Sequence, residues 1–211
     1  MKRNLVVTAA AALVAVALLG VGGYVYFFSN LRSSRPSLSL SASPTASPAA
    51  ALTGLAGTWT VTTGSQARYR VKELFVGETA KHDAVAQTSN VTGSLMVAGD
   101  ATGYQAIGIT VTADLTSLHS TDQVAGRNVS QRDGLVSRQL DVQQFPNAKF
   151  TATSASVPAT ITSAQVDVTV PGQLTIHGVT KNVTAPAKAQ VVGNRIETAG
   201  SVAINMTDYG V

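Results

Sequence analysis

Apolar and polar residues alternate along most of the chain after residue 57, which predicts β-strands. In "YQAIGITVT", Ile107, Ile109 and Val111 would share one face, and "VDVTV" repeats the pattern with three valines. Gly, Asn, Asp and Pro separate these runs, as is typical of tight turns. Many short strands at this spacing indicate a mostly β domain, either an antiparallel sandwich or a closed barrel. A barrel of about eight strands can enclose side chains or one small ligand.

One segment departs from this alternation, "QRDGLVSRQLDVQQFPNAKF" at residues 131–150. Residues 132–142 have helical spacing, with Leu135, Val136 and Leu140 forming a narrow apolar stripe. Pro146 favours extended geometry for the residue before it, so the helix should end earlier. The pattern predicts a short helix from Arg132 to Val142, inserted between strands, with Leu135 and Leu140 directed inward. On a barrel such a helix can cap an open end.

The N-terminal region divides into two parts. Residues 5–28 are uncharged; as a helix they would rise about 36 Å, enough to span a hydrocarbon core of about 30 Å. Residues 29–54 are rich in Ser, Ala and Pro, which indicates a flexible linker. We therefore predict a transmembrane signal-anchor at 1–28, a linker at 29–54 and a domain at 55–211. The N-terminus would be cytoplasmic and the domain extracytoplasmic, and a cleaved signal peptide is the alternative.

Charge and composition exclude several classes of protein. The net charge is +4, but after residue 54 the eleven basic residues match the eleven acidic ones, so the domain lacks the basic surface of a nucleic-acid-binding protein. The chain contains no cysteine, which excludes disulfides, thiolate metal sites and cysteine nucleophiles. No cofactor is predicted.

The residues typical of catalysis form no recognisable pattern. His82, His119 and His177 are far apart in the sequence, and common hydrolase and zinc motifs are absent. Many Ser and Asp residues leave a Ser-His-Asp triad possible, but nothing selects one. We assign no catalytic residue and no metal ligand, and an enzyme is not expected.

Several motifs resemble the YceI-like family, and they occur in its order along residues 57–211. They are "GTWTVTTGSQARYRVKE", "QRDGLVSRQLDVQQFPNAKF", "GQLTIHGVTKNVT" and "TDYGV", while "AVAQTSNVTGSL" is similar to a membrane-anchored, actinobacterial-type branch. The resemblance implies an extended lipocalin-like antiparallel barrel that holds a polyisoprenoid or similar long apolar chain. Two positions depart from the family pattern: Ala86 replaces a usual Gly, and the domain apparently lacks the final strand that follows the Asp-Tyr-Gly motif.

The resemblance, together with the alternating aliphatic pattern, implies a membrane-tethered extracytoplasmic protein that holds the lipid in an elongated apolar lumen. The alternatives are a structural or stress-linked surface domain with a filled core and, more distantly, an esterase-type hydrolase. Arg132 could contact a ligand head group, although with Asp133 it would more commonly tie the helix to the barrel. The oligomeric state is left open. The candidate lumen residues are Tyr69, Val71, Phe75, Ile107, Ile109, Leu135, Leu140, Phe145, Phe150, Leu174, Ile176 and Ile204.

Overall fold

The computed structural model describes residues 54–77 and 79–211, together with Leu40. The predicted anchor at 1–28 lies outside these residues, as does the predicted linker at 29–54 apart from Leu40 and Gly54. In the described residues, no helix has the length and hydropathy needed to cross a membrane.

Strands dominate the described chain, as the alternation predicts. There are ten: β1 (Gly57–Thr60), β2 (Ala67–Glu73), β3 (His82–Thr88), β4 (Val91–Asp100), β5 (Gly103–Asp114), β6 (His119–Ser120), β7 (Asn147–Val157), β8 (Val166–Ile176), β9 (Val179–Val192) and β10 (Arg195–Gly200). The inserted helix, α1, spans Gln131–Gln139 and confirms the predicted helix to within a few residues. Short 3-10 turns occur at Leu115–Ser117, Ala159–Thr162 and Met206–Tyr209.

The strands form two antiparallel sheets rather than one closed ring. Seven lie in the order β1-β4-β5-β7-β8-β9-β10 and curl into a half-barrel, while β2, β3 and β6 form a separate sheet within the part of the chain that the structure describes. The mostly β, antiparallel architecture is confirmed, but the barrel of about eight strands is a half-barrel here. β2 pairs along its whole length with β3 and forms no ladder with the larger sheet in the described residues, so the strands do not close into one ring.

A β-bulge interrupts β5 at Gly108. The register between β4 and β5 shifts between Ser94 and Met96, so β5 carries one extra residue at this point. Gly108 has a φ of 62°, a left-handed conformation that glycine adopts without steric cost. Ala106 and Ile109 are both buried although they are three residues apart, because the bulge reverses the side-chain alternation.

Ile107 therefore lies on the outer face of the sheet. It pairs with Met96, whose side chain is 46% exposed, whereas the next pair, Ala106 and Val97, is buried. The prediction that Ile107 and Ile109 share one face is wrong, because the extra residue lies between them.

The reversed alternation of buried and exposed side chains is also present in β7, but not in β8. β7 stays in register with β5 through the bulge, and Ala152 and Ala155 are both buried. In β8, Val166, Val168 and Ile176 are buried in plain alternation. The pleats of β7 and β8 are thus out of phase beyond the bulge.

Two hydrophobic clusters form the core. The helix cluster lies under α1 and consists of the buried residues Leu140, Val142, Ile176 and Tyr209. The sheet cluster lies on the inner face of the half-barrel and consists of Leu55, Val97, Ala106, Ile109, Ala152, Ala155, Ile161, Val166, Val168 and Ala189.

Candidate functional site

The inner face of the half-barrel has a floor of small residues. Ala106, Ala152, Ala155 and Ala189 are buried in the sheet cluster. Larger side chains pack around this floor but remain partly accessible: Trp59, Leu95, Tyr104, Phe150, Val157, Val170, Val191 and Ile196. The result is a curved apolar surface that the domain itself does not fully cover.

A cavity of about 240 Å³ lies under α1, beside the helix cluster. Burial raises the pKa of the Tyr69 hydroxyl, although the nearby Arg132 charge lowers it, so Tyr69 remains a hydrogen-bond donor at neutral pH. Asp133 accepts bonds from the Ser120 backbone N–H and hydroxyl at 2.9 and 2.6 Å. The wall presents both apolar and polar groups and comprises Tyr69, Ala86, Leu115, Thr116, Leu118, Asp133, Gly134, Val136, Ser137, Leu140 and Val142.

A larger, open cleft of about 820 Å³ lies between β7 and β8. Ile109 and Ala152 of the sheet cluster form its inner wall, and no charged residue lines it. The other lining residues are Gly108, Thr110, Thr151, Thr153, Ser154, Pro171, Gly172, Gln173, Asn182, Val183 and Thr184. The cleft and the cavity under α1 share no lining residue, so these two spaces do not form the single elongated lumen expected from the sequence.

Half of the twelve candidate lumen residues belong to the two clusters or pack against them. Tyr69 and Leu140 line the cavity under α1, Ile109 lines the cleft, and Ile176 is buried in the helix cluster. Val71, Phe145, Phe150, Leu174 and Ile204 are half-buried, as are Tyr69, Phe75 and Ile107. Phe150 packs on the sheet cluster, and Leu174 and Ile204 pack on the helix cluster. Ligand contact by these residues remains a prediction.

Phe75 and Phe145 make aromatic contacts of their own. Phe75 follows β2, stacks on His82 with ring centroids 4.6 Å apart, and has the Arg127 guanidinium 4.7 Å above its ring. The Phe145 ring meets His177 edge-on at 4.9 Å, beside the β8–β9 turn.

One of the two leucines predicted to face inward does not. Leu140 is 7% exposed, but Leu135 is 54% exposed. The side chains that hold α1 in place are Arg132, Val136 and Leu140, which are four residues apart and so lie on one face. Leu135 falls beside this stripe, and the prediction that it points inward is wrong.

Arg132 joins α1 to the small sheet and the following loop. Its Nη2 donates to both carboxylate oxygens of Asp122 at 3.0 and 2.9 Å, and its Nη1 lies 3.3 Å from Glu73 Oε2. The same Glu73 oxygen lies 3.1 Å from His82 Nε2, and the Asp122 Oδ1 also accepts the Val85 N–H. The side chains of Arg132 and Asp122 are 12% and 10% exposed. Arg132 thus holds α1 against the rest of the domain through ion pairs. A contact between Arg132 and a ligand head group remains a prediction.

The sequence pattern that defines the YceI-like domain matches residues 59–211. The chain belongs to the YceI-like family. It is 32% identical over 118 residues to UPF0312 proteins from two strains of Pseudomonas putida, covering 53% of this chain and 56% of each relative. It thus spans about half the length of these curated relatives. A crystal structure of a mutant CJ YceI protein with a monobromobimane guest covers 67% of this chain and 77% of its own, at 16% identity and a TM-score of 0.42.

The YceI-like fold is a binding-protein fold rather than that of an enzyme family. Within residues 54–77 and 79–211, no three His, Cys, Asp or Glu side chains are grouped so that they could hold a metal ion. Neither fact identifies a ligand.

The "TDYGV" motif of the YceI-like domain has a packing role that the sequence does not reveal. Tyr209 is 2% exposed within the helix cluster, and Gly210 ends the turn with a φ of 74°. His177 Nδ1 lies 3.2 Å from the Tyr209 carbonyl oxygen, which ties the motif to the β8–β9 turn.

Sequence reasoning also missed Leu115 and Leu118, which line the cavity under α1. Their spacing of three in "DLTSL" is a usable signal, since residues three apart align on one side of a 3-10 turn. Asp114 begins this turn by accepting the Thr116 N–H at 2.8 Å. The partners of Arg132 have no comparable local signal.

Replacing Asp122 should destabilise the domain strongly. Asp122→Ala leaves the largely buried Arg132 without its bidentate partner, and we expect the free energy of unfolding to fall by about 3 kcal/mol. Urea unfolding followed by circular dichroism measures this. The matched control is Asp167→Ala, which removes an ion pair to Lys188 from a side chain that is 81% exposed and should cost at most about 1 kcal/mol. Equal effects of the two substitutions would contradict the structural role of Asp122.

Proposed function

We propose that this YceI-like domain binds one long apolar chain, such as a polyisoprenoid, along the inner face of the half-barrel. The supporting observation is the alanine floor surrounded by large, partly accessible apolar side chains. An unfilled, curved apolar surface of this kind is characteristic of a ligand site. Each CH₂ group removed from water there contributes about 0.8 kcal/mol, so a long chain gains affinity without any charged contact.

The polar end of the ligand would lie near α1. The cavity there combines apolar side chains with polar groups, among them the Tyr69 hydroxyl, whose raised pKa keeps it a donor. Arg132 lies close enough to influence that pKa, so a head group at Tyr69 would sense its positive charge. The apolar chain would then extend from α1 along the sheet cluster.

Attachment to a membrane is part of the same proposal and rests on sequence. Residues 5–28 would anchor the chain, with residues 29–54 as the tether and the domain on the extracytoplasmic side. The similarity of "AVAQTSNVTGSL" to a membrane-anchored, actinobacterial-type branch supports this arrangement. It would place the binding domain beside the lipid phase that contains such ligands.

Native mass spectrometry of the full chain with polyprenols of graded length tests the proposal. We expect one bound polyprenol per chain, with affinity rising with length until the inner face is filled. Affinity should change little with salt, because the domain after residue 54 has no net formal charge. A chain that is folded by circular dichroism yet binds no polyprenol of any length would refute the proposal and favour a structural surface domain.

A further inference from the structure

The wall of the half-barrel is split between β7 and β8. The two strands pair Lys149, Phe150 and Thr151 with Thr175, Leu174 and Gln173, and within the described chain the pairing ends there. The rest of β7, residues 152–157, and the facing part of β8, residues 166–172, continue side by side without ladder pairs between them. β8 remains fully paired with β9 on its other side.

The split follows from the bulge at Gly108. The bulge reverses the alternation of β5 and also that of β7, which pairs with β5 in the same register on both sides of Gly108, whereas β8 keeps its original alternation. Strands whose side chains alternate out of phase cannot maintain one ladder. Pro171, inside the unpaired part of β8, also lacks a backbone N–H to donate.

The open cleft occupies this split and reaches from the solvent to the sheet cluster. Thr153, Pro171 and Gln173 on its rim are exposed, while Ile109 and Ala152 on its inner wall belong to the buried cluster. Gly172 in this lining lies against the Phe150 ring, and a Cβ added there would lie 2.5 Å from the Thr151 carbonyl oxygen and 2.7 Å from ring atom Cζ. Only glycine leaves room for the ring at this point.

We propose that the β7–β8 split is the route by which an apolar chain enters and leaves the inner face of the half-barrel. The inference rests on the proposed function, because it requires a ligand on that face. Separating two strand segments that share no ladder pairs breaks no sheet hydrogen bonds between them, so among the strand junctions within the seven-stranded sheet this one opens most easily. A neutral rim does not repel an apolar ligand and does not select a charged one.

Bridging the split tests this route in the full chain. The chain has no native cysteine, so Thr153→Cys with Thr169→Cys can be joined across the split by a short bifunctional thiol reagent. The matched control is Thr175→Cys with Thr180→Cys, whose hydroxyls lie 2.8 Å apart across the intact β8–β9 ladder. Stopped-flow measurements with a polyprenol that carries a terminal fluorophore give the association and release rates.

We expect the bridge across the split to slow association and release by about tenfold or more and to leave Kd within about twofold, because it blocks a route and not the site. The control bridge should change neither rate. Unchanged rates with the split bridged would overturn the proposal, and so would a loss of affinity at unchanged rates of association. If the unbridged chain binds no polyprenol, the proposed function fails and the route fails with it.

Discussion

Ile109→Trp should abolish polyprenol binding, whereas Ile107→Trp should leave the affinity within about a factor of two. Ile109 is 9% exposed, belongs to the sheet cluster and lines the cleft, so an indole there projects over the inner face. Ile107 pairs with the exposed Met96 and faces the other way. The two substitutions are chemically identical and two residues apart. Any difference in binding between them therefore reports whether the indole lies on the inner or the outer face of the sheet. Native mass spectrometry with a long polyprenol measures the difference.

Folding must be checked in the same experiment, because overpacking a core position costs about 1–3 kcal/mol. Circular dichroism of both variants provides this control. If Ile109→Trp is unfolded, Ala152→Val tests the same floor with a smaller increase in volume. Equal binding by the inner-face and outer-face variants would show that the ligand does not occupy the inner face.

Leu140→Ala should lower the free energy of unfolding by about 2–5 kcal/mol, the usual cost of removing a buried leucine side chain. Leu140 is 7% exposed, packs in the helix cluster and lines the cavity under α1. Leu135→Ala in the same helix removes the same atoms from a side chain that is 54% exposed, and should change stability by no more than about 0.5 kcal/mol. Urea denaturation of both variants measures the difference. Comparable losses would mean that α1 packs on a different face.

The alternation along the chain predicts most of the strands, although "SVAINM" at residues 201–206 forms none and His82 lies in β3 rather than in a loop. It could not show on its own that β5 changes face. Ile107 and Ile109 look equivalent in a period of two, and the residue that separates them is a glycine. A lone glycine inside a strand pattern can mark a bulge. Whether it does depends on the register with β4, which is a long-range property.

The position of α1 was predictable, but the face it buries was only partly so. Leu135, Val136 and Leu140 define a stripe without fixing its centre. The centre is set by Arg132, whose partners Asp122 and Glu73 come from a loop and from the end of β2. Contacts between segments so far apart in the sequence cannot be predicted from the spacing of apolar residues within one helix.

The cavities were the least predictable feature. Apolar residues that fill a core and those that line a space have the same alternation, so the sequence identifies the inner face but not its free volume. The cleft depends on the phase difference between β7 and β8, which appears only when three strands are considered together.

The seven-stranded sheet ends on both sides in short strands, β1 with four residues and β10 with six. Exposed strand edges can template pairing with another chain and so promote aggregation. β10 begins at the charged Arg195 and carries Glu197, which is held by the Gln190 side-chain amide at 3.1 Å. Short edges and charged side chains both discourage such pairing. Edge-to-edge aggregation between copies is therefore disfavoured even where their local concentration is high.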